Sequence, residues 1–163
     1  MTYDALGLKR DGLNVLQSIA DIPDDGLKDP KTHKEAQTSA LYNSGKLILE
    51  LGHPSDAIKN LLGAHRRIMN IHQIGGKAHV SSNIPSLQAV LNLLGEACRF
   101  LNKTEDAEHY YRAALKVKPD HIPAYLTYGK LLSKNVSSIG LSAILNIIVS
   151  LCVYFCYDTK DIR

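Results

Sequence analysis

The small and apolar residues between Gln88 and His121 recur at a regular spacing. With Gln88 as position one, they occupy positions 4, 7, 8, 11, 20, 24, 27 and 32. Spacings of three and four residues place side chains on one face of a helix, so two helices are predicted, joined by the turn 102–104. Thr104 is the predicted N-cap of the second helix, and Pro119 ends it. The residues of the pattern are Leu91, Leu94, Gly95, Cys98, Ala107, Tyr111, Ala114 and Pro119.

This pattern resembles the tetratricopeptide repeat (TPR). The TPR takes a large apolar residue, Leu, Gly and an aromatic in its first helix (helix A), then Ala, an aromatic, Ala and Pro in its second (helix B). Seven of the eight positions match in kind, and Cys98 replaces the aromatic residue. A larger side chain at Gly95 or Ala107 would push the helices apart, so we expect them to cross closely there.

The same phase extends in both directions along the chain. A second repeat is predicted at residues 38–71, and half repeats at residues 1–23 and 122–135, so the TPR array spans residues 1–135. The predicted fold is therefore all-α: an α-solenoid of TPR helix–turn–helix repeats, incomplete at both ends, with a hydrophobic, helix-like C-terminal tail.

At the N-terminus the phase predicts the end of a helix A, a turn and a helix B. Leu6-Gly7 resembles the turn that follows helix A of the second repeat, so helix B is predicted at residues 9–20. Gly12 then takes the close crossing, and Pro23 terminates the helix.

Two segments between the repeats do not fit the phase. Residues 22–37 are rich in Asp, Pro and Lys and are predicted as a loop, and residues 72–87 are predicted to be flexible. Because Met69 stands where the second repeat should carry proline, its helix B is predicted to continue towards Ile74.

The tail, residues 136–163, departs from the repeat. Residues 136–157 contain no charged side chain over 22 positions, and as a helix they would be about 33 Å long, enough to span a bilayer. One hypothesis is a membrane segment. The other is intron read-through, because Val136-Ser137 can be encoded by a splice-donor sequence.

The composition fits a folded chain that does not bind nucleic acid. It is 45% hydrophobic and 21% charged, and 19 basic against 16 acidic residues give a net charge of +3. A dedicated nucleic-acid binder would cluster more basic residues. Three cysteines do not make a disulfide scaffold. The start, residues 1–4, lacks both the basic and the apolar region of a signal peptide.

No catalytic residue or cofactor is predicted, because phosphate loop, paired-glycine fingerprint and nucleophile elbow are all missing from the sequence. Four acids crowd one loop: Asp21, Asp24, Asp25 and Asp29. Thr32 stands where a calcium loop starting at Asp21 would need glutamate, so solvated acids are favoured over calcium ligands.

Nor is a metal site predicted. His65 and His72 share a helix face if one helix covers both, but zinc needs three or four ligands and no cysteine pair accompanies them. Surface or groove histidines are favoured. Cys152 and Cys156 lie in the tail, where a role as small apolar side chains is favoured.

The exposed faces of the A helices remain as the candidate functional surface. In curved solenoids this concave groove usually binds protein segments, and here its mixed charges suit an extended peptide. The lysine/asparagine clamp of chaperone-tail-binding repeats is not reproduced, since Ala89 and Leu93 take two of its positions. The predicted groove residues are Tyr42, Lys46, Glu50, Asn92, Glu96, Arg99 and Lys130.

Two sequons are candidate N-glycosylation sites. Asn102-Lys103-Thr104 lies in the predicted turn between helices, where a glycan is easily attached, whereas Asn135-Val136-Ser137 adjoins the tail. We select Asn102 as the candidate site.

Two parts of the chain also resemble one particular TPR family. The first combines IPDDGLKDP (22–30) with LYNSGKL (41–47), and the second combines AEHYY (107–111) with DHIPAYLTYGKLL (120–132). They are similar to the transmembrane-and-TPR O-mannosyltransferase family of the endoplasmic reticulum. The insert between repeats makes this likeness more specific than a general TPR pattern.

In that family a multi-spanning membrane domain transfers mannose from dolichyl-phosphate-mannose to Ser/Thr of cadherin-type domains, and the TPR array lies in the lumen. The resemblance implies a TPR protein-interaction module, a fragment of the lumenal partner-binding array, associated with the endoplasmic reticulum membrane. None of the family's catalytic residues carries over, so the chain alone is not expected to be an enzyme.

Two alternatives stay open at this point. The first is an independent TPR adaptor, anchored by residues 136–157 with its repeats in the cytoplasm. The second is a truncated isoform without function. Glycosylation at Asn102 separates a lumenal array from a cytoplasmic one.

Overall fold

The computed structural model describes residues 3–23, 29–75 and 83–135, and within these ranges the chain is helical, without a strand. Each helix packs against the next one along the chain, and α2, α4 and α6 also contact one another in succession. The α-solenoid predicted from the sequence is confirmed. The six helices are α1 (Tyr3–Ala20), α2 (Pro30–Glu50), α3 (Pro54–Gly75), α4 (Leu87–Phe100), α5 (Thr104–Val117) and α6 (Ile122–Asn135).

The A helices α2 and α4 end in the same way. Gly52 follows α2 with φ +86°, and Asn102 follows α4 with φ +57°. In both turns the next N–H returns to the helix: His53 N bonds the Ile48 carbonyl at 3.1 Å, and Lys103 N bonds the Cys98 carbonyl at 2.9 Å. Glycine and asparagine tolerate this left-handed conformation better than other residues.

Helices A and B cross closely at one glycine in each complete pair. A Cβ on Gly95 would lie 2.6 Å from Cε1 of Tyr111, and a Cβ on Gly45 would lie 2.7 Å from Cγ of Leu61. Ala107, the other small residue predicted at the α4–α5 crossing, is fully buried. The close crossing predicted for Gly95 is present, and Tyr111 is the side chain that fills it.

The core lies between the helices and is mainly aliphatic. One cluster joins Leu61 and Ile68 of α3 to Val90 and Leu94 of α4. A second is built around Tyr111, which packs with Cys98, Ala107 and Leu131. Consecutive repeats therefore share their buried side chains, as in other solenoids.

The turn predicted at Leu6-Gly7 is wrong, because α1 is a single helix over Tyr3–Ala20. A Cβ on Gly7 would meet no atom within 4 Å, so the glycine marks neither a close crossing nor a turn. Gly12 is also not at a tight crossing, since its Cβ would lie 3.9 Å from Leu47, an ordinary contact. An isolated glycine lowers helix propensity without necessarily ending a helix.

The loop predicted over residues 22–37 is wrong for its second half, because α2 begins at Pro30. The Asp29 carboxylate caps the helix by accepting hydrogen bonds from the N–H groups of Lys31 at 3.1 Å and Thr32 at 3.2 Å. Proline at the first helical position costs no hydrogen bond, so Asp-Pro is a strong start signal. Most of residues 30–37 are exposed, but the side chains of Glu35 and Gln37 are buried.

The end of α3 and the start of α5 can also be compared with their predicted positions. Helix α3 reaches Gly75, so residues 72–75 are helical, in agreement with its predicted continuation towards Ile74. Helix α5 begins at Thr104, with Lys103 as the N-cap residue and no side-chain cap, so the predicted capping role of Thr104 is wrong. Acids in the first turn, Glu105 and Asp106, favour this helix end through the helix dipole.

Several predictions fall outside the described residues: those for the tail 136–163, its cysteines, the second sequon and the acids in residues 24–28. Within the described residues, no helix is both long and apolar enough to cross a membrane.

Candidate binding groove

The predicted groove residues lie on three consecutive A helices. Tyr42, Lys46 and Glu50 are on α2, Asn92, Glu96 and Arg99 are on α4, and Lys130 is on α6. Because α4 contacts both α2 and α6, these helices form one layer and bring the three groups side by side. The groove is the exposed surface of this layer.

Asn92 lies inside the layer rather than on its surface. Its side chain is 7% exposed, and that of Thr127 on α6 is 8% exposed. The Thr127 hydroxyl donates to the Asn92 carboxamide oxygen at 2.6 Å. Sequence reasoning did not select Thr127. The sequence does contain a signal for Thr127: it is a polar residue, one repeat position further along its helix A than Asn92 is along the preceding one.

Glu50 is directed towards α1. Its carboxylate forms an ion pair with the Lys9 ammonium group at 2.6 Å. This pair links the end of α2 to the preceding helix, and it neutralises the acid at that edge of the groove.

Glu96 and Arg99 form a pair on α4, with 3.8 Å between the carboxylate and the guanidinium group. The guanidinium carbon of Arg99 lies 4.6 Å from the centre of the Phe100 ring, within cation–π range. The Nε atom of Arg99 is buried and has no hydrogen-bond partner among the described residues. Arg99 is therefore held between an acid and an aromatic ring.

Lys46 and Lys130 differ from the other charged groove residues. Both side chains are exposed, and neither forms an ion pair with a described residue, whereas Glu50 and Glu96 each have a cation within 4 Å. The surface therefore carries two uncompensated positive charges, one on each outer helix of the layer.

Tyr42 lies half-buried between α2 and the apolar cluster shared by α3 and α4. Burial raises the pKa of its hydroxyl. Nearby, the Ser39 hydroxyl donates to the Asn83 carbonyl at 2.5 Å, joining α2 to the segment before α4. These contacts fix the position of α2 relative to α4.

Beneath the groove, Tyr111 is fully buried. Its hydroxyl makes no hydrogen bond of good geometry among the described residues. Burial raises the pKa of this hydroxyl to about 12, although the side chains of Arg99 and Thr127 lie near enough to lower it. The hydroxyl is therefore protonated at neutral pH. The ring also lies 6.0 Å from that of Tyr128 on α6, centre to centre.

The candidate glycosylation site is on the surface. Asn102 is exposed in the turn between α4 and α5, and Thr104 of its sequon is the first residue of α5. The backbone of this turn is left-handed at Asn102, with φ +57°.

The structure describes the side chains of His65 and Cys98. Helix α3 carries both His65 and His72, and burial lowers the pKa of His65. Cys98 is buried, and burial raises the pKa of its thiol. In the part of the chain that the structure describes, no three His, Cys, Asp or Glu side chains are grouped to hold a metal ion.

The TPR family model matches residues 89–121, which cover most of α4, the Asn102 turn and α5. The fold and this match define a TPR protein. No solved structure matches the chain.

The chain is similar to several protein O-mannosyl-transferases. The chain is 44% identical to tmtc2 of Xenopus laevis and 41% identical to TMTC2 of Homo sapiens, in each case over 114 residues, or 70% of the chain. It is 41% identical to TMTC2 of Mus musculus over 127 residues, or 78% of the chain. The aligned segment is homologous to a part of these TMTC proteins, which confirms the resemblance predicted from the sequence. It spans 12% to 14% of the length of these relatives.

Proposed function

We propose that this chain is a TPR protein-interaction module that recognises protein segments for an O-mannosyltransferase of the TMTC family. The main support is the layer of A helices α2, α4 and α6, whose outer surface carries Lys46 and Lys130, neither of which forms an ion pair with a described residue. Charged and apolar side chains that packing does not use are available to a partner. The chain contributes recognition, and we expect the purified chain to transfer no mannose.

The array works in the lumen of the endoplasmic reticulum. Relatives named as protein O-mannosyl-transferases support this location through the family resemblance, and exposure of Asn102 supports access for the glycosylation enzyme. A tail-anchored adaptor with cytoplasmic repeats is the alternative.

Binding is tested with the full chain and a purified cadherin-type domain, the acceptor that the family resemblance implies. A photo-crosslinking amino acid replaces Lys46 or Lys130 in the groove, or Arg66 or Lys116 on the B helices as matched controls. We expect crosslinks from the two groove positions only. Equal crosslinking from the B helices, or none from the groove, would contradict groove recognition.

Location is tested by expressing the chain in cells and treating it with a glycosidase that removes N-glycans. A lumenal chain migrates faster after treatment, and Asn102→Gln or Thr104→Ala abolishes the difference. Asn135→Gln is the control, because it removes the other sequon and leaves Asn102 intact. An unmodified Asn102 in a membrane-bound pool supports the cytoplasmic alternative.

A further inference from the structure

The charge of the groove is decided by which residues pair within the chain. Glu50 is neutralised by Lys9 at 2.6 Å, and Glu96 lies 3.8 Å from Arg99. Lys46 and Lys130 have no such partner among the described residues, so two positive charges stay available. Although the sequence shows mixed charges, the folded surface favours an anionic ligand.

The A helices α4 and α6 also carry exposed apolar side chains. Phe100 on α4 is 54% exposed and Leu126 on α6 is 60% exposed. Large side chains exposed beside unpaired charges are typical of protein-binding surfaces, because their burial favours association and the charges select the partner. A simple inorganic anion would use the lysines but leave this apolar area uncovered.

From these contacts we propose that the groove binds an extended, acidic protein segment whose carboxylates pair with Lys46 and Lys130 and whose apolar side chains cover Phe100 and Leu126. The proposal rests on the proposed function, since it names the class of segment that the groove recognises.

Geometry limits the spacing of the acids in such a segment. Packed helices lie about 8–10 Å apart, so α2 and α6 are separated by roughly 16–20 Å across α4. An extended chain advances about 3.3 Å per residue, so the two carboxylates should be about five or six residues apart. A single acidic residue could engage only one of the lysines.

Glu96 lies on α4, the helix between the two lysine-bearing helices, and would repel an acidic ligand if it were unpaired. Arg99 compensates this charge through the pair at 3.8 Å. Removal of the Glu96 charge should therefore strengthen binding of an acidic segment, whereas removal of the Arg99 charge should weaken it. A ligand chosen for apolar contacts alone would respond to neither change.

The test uses the full chain and fluorescein-labelled peptides of twelve residues in fluorescence anisotropy. The acidic peptide contains Leu and Phe and has two glutamates six residues apart, and its control has glutamines instead. We expect the acidic peptide to bind about tenfold more tightly, with affinity falling as salt rises. Lys46→Glu with Lys130→Glu should weaken binding about tenfold or more, and Glu96→Gln should strengthen it about twofold to fivefold.

The matched control is Arg66→Glu with Lys116→Glu, which makes the same charge change on exposed residues of the B helices α3 and α5. It should change the peptide affinity of the native chain by less than about twofold. Its circular dichroism should match that of the groove variant. If both variants weaken binding equally, or if a polyphosphate of equal charge competes as well as the peptide, the attraction is only general and the proposal is overturned.

The outcomes also separate this proposal from the proposed function. Groove-specific crosslinking of the cadherin-type domain, together with equal affinity for the glutamate and glutamine peptides, keeps groove recognition and overturns the preference for acids. Absence of both crosslinking and peptide binding overturns both.

Discussion

The Thr127 hydroxyl donates a hydrogen bond of 2.6 Å to the carboxamide oxygen of Asn92, and both side chains are buried between α4 and α6. Thr127 is one position further along its helix A than Asn92 is along the preceding one. The bond therefore joins two successive A helices directly, and it fixes the spacing of the layer on which the groove is built.

We expect Thr127→Val to lower the free energy of unfolding by about 1–3 kcal/mol, because the Asn92 oxygen is left buried without its donor. Urea denaturation of the full chain measures the change. Ser133→Ala is the control, since its hydroxyl is exposed and donates to the Lys130 carbonyl of the same helix. Asn92→Leu with Thr127→Val should recover part of the loss. An equal effect of the valine and Ser133→Ala variants would contradict this role.

The glycines of the A helices provide a matched pair of substitutions. A Cβ on Gly95 would lie 2.6 Å from Tyr111, whereas a Cβ on Gly129 would meet no atom within 4 Å. We expect Gly95→Ala to destabilise the chain by about 1–3 kcal/mol through overpacking. Gly129→Ala should stabilise it by up to about 1 kcal/mol through helix propensity.

Thermal or urea unfolding of the two variants, followed by circular dichroism, tests the opposite signs. Both variants replace one helical glycine by alanine, so their gains in helix propensity are similar. The difference between their free energies of unfolding therefore measures the cost of a Cβ at the α4–α5 crossing. If Gly95→Ala is as stable as Gly129→Ala, α4 and α5 do not cross as closely as the structure has them.

Tyr111 should make stability fall at alkaline pH. Burial raises its pKa to about 12 in the folded chain, whereas the unfolded value is about 10. The stabilisation that comes from the raised pKa of Tyr111 is therefore complete below pH 10 and is lost as pH rises towards 12. Because other tyrosines also titrate, the measured quantity is the difference between the native chain and Tyr111→Phe.

At neutral pH we expect Tyr111→Phe to leave stability unchanged or slightly higher, since the buried hydroxyl makes no hydrogen bond of good geometry among the described residues. Tyr128→Phe is the control, because its hydroxyl donates to Glu108 at 2.8 Å and accepts from Arg112 at 3.2 Å. It should cost about 0.5–1.5 kcal/mol. A larger loss from Tyr111→Phe would show that its hydroxyl is bonded in solution.

Asp29 should stabilise the start of α2 in a pH-dependent way. Its pKa is lowered chiefly by the hydrogen bond from the Thr32 hydroxyl, at 2.5 Å, and by the backbone N–H of Thr32. A lowered folded pKa means that the stabilisation is complete above the unfolded value, about 3.9, and is lost as pH falls through the lowered one.

Asp29→Ala should therefore lower the urea midpoint at neutral pH, and the deficit should shrink as the pH is lowered. Faster amide exchange at Lys31 and Thr32 should accompany it, because both N–H groups lose their acceptor. Asp29→Asn keeps an acceptor oxygen and should show a smaller and pH-independent loss. A deficit that stays constant with pH would contradict capping by the carboxylate.

The limits of sequence reasoning follow from particular residues. Gly95 is predictable because its spacing from Ala107 and Tyr111 repeats a known pattern. Gly7 carries no comparable information: it was assigned to a turn by analogy with Gly52, yet only Gly52 has a left-handed backbone. The N-terminal turns of α2 were missed because the repeat phase begins at Thr38, although Asp29-Pro30 is itself a helix start signal.

The candidate groove was predictable to the level of which helices and positions it uses. The sequence did not predict which of those side chains are available to a partner, because Asn92 is covered by α6 and Glu50 is paired with Lys9 of α1. Both contacts join residues more than 30 positions apart. The pattern of a single repeat contains no information about them.

The sequence by itself determined the TPR repeat, its close crossing at Gly95 and the resemblance to the TMTC family, because these depend on local spacing and residue type. Only the tertiary structure decided that α1 is continuous and that Lys46 and Lys130 form no ion pair with a described residue. The physical reason is that helix periodicity is a property of neighbouring residues, whereas burial and ion pairing depend on side chains that distant segments bring together.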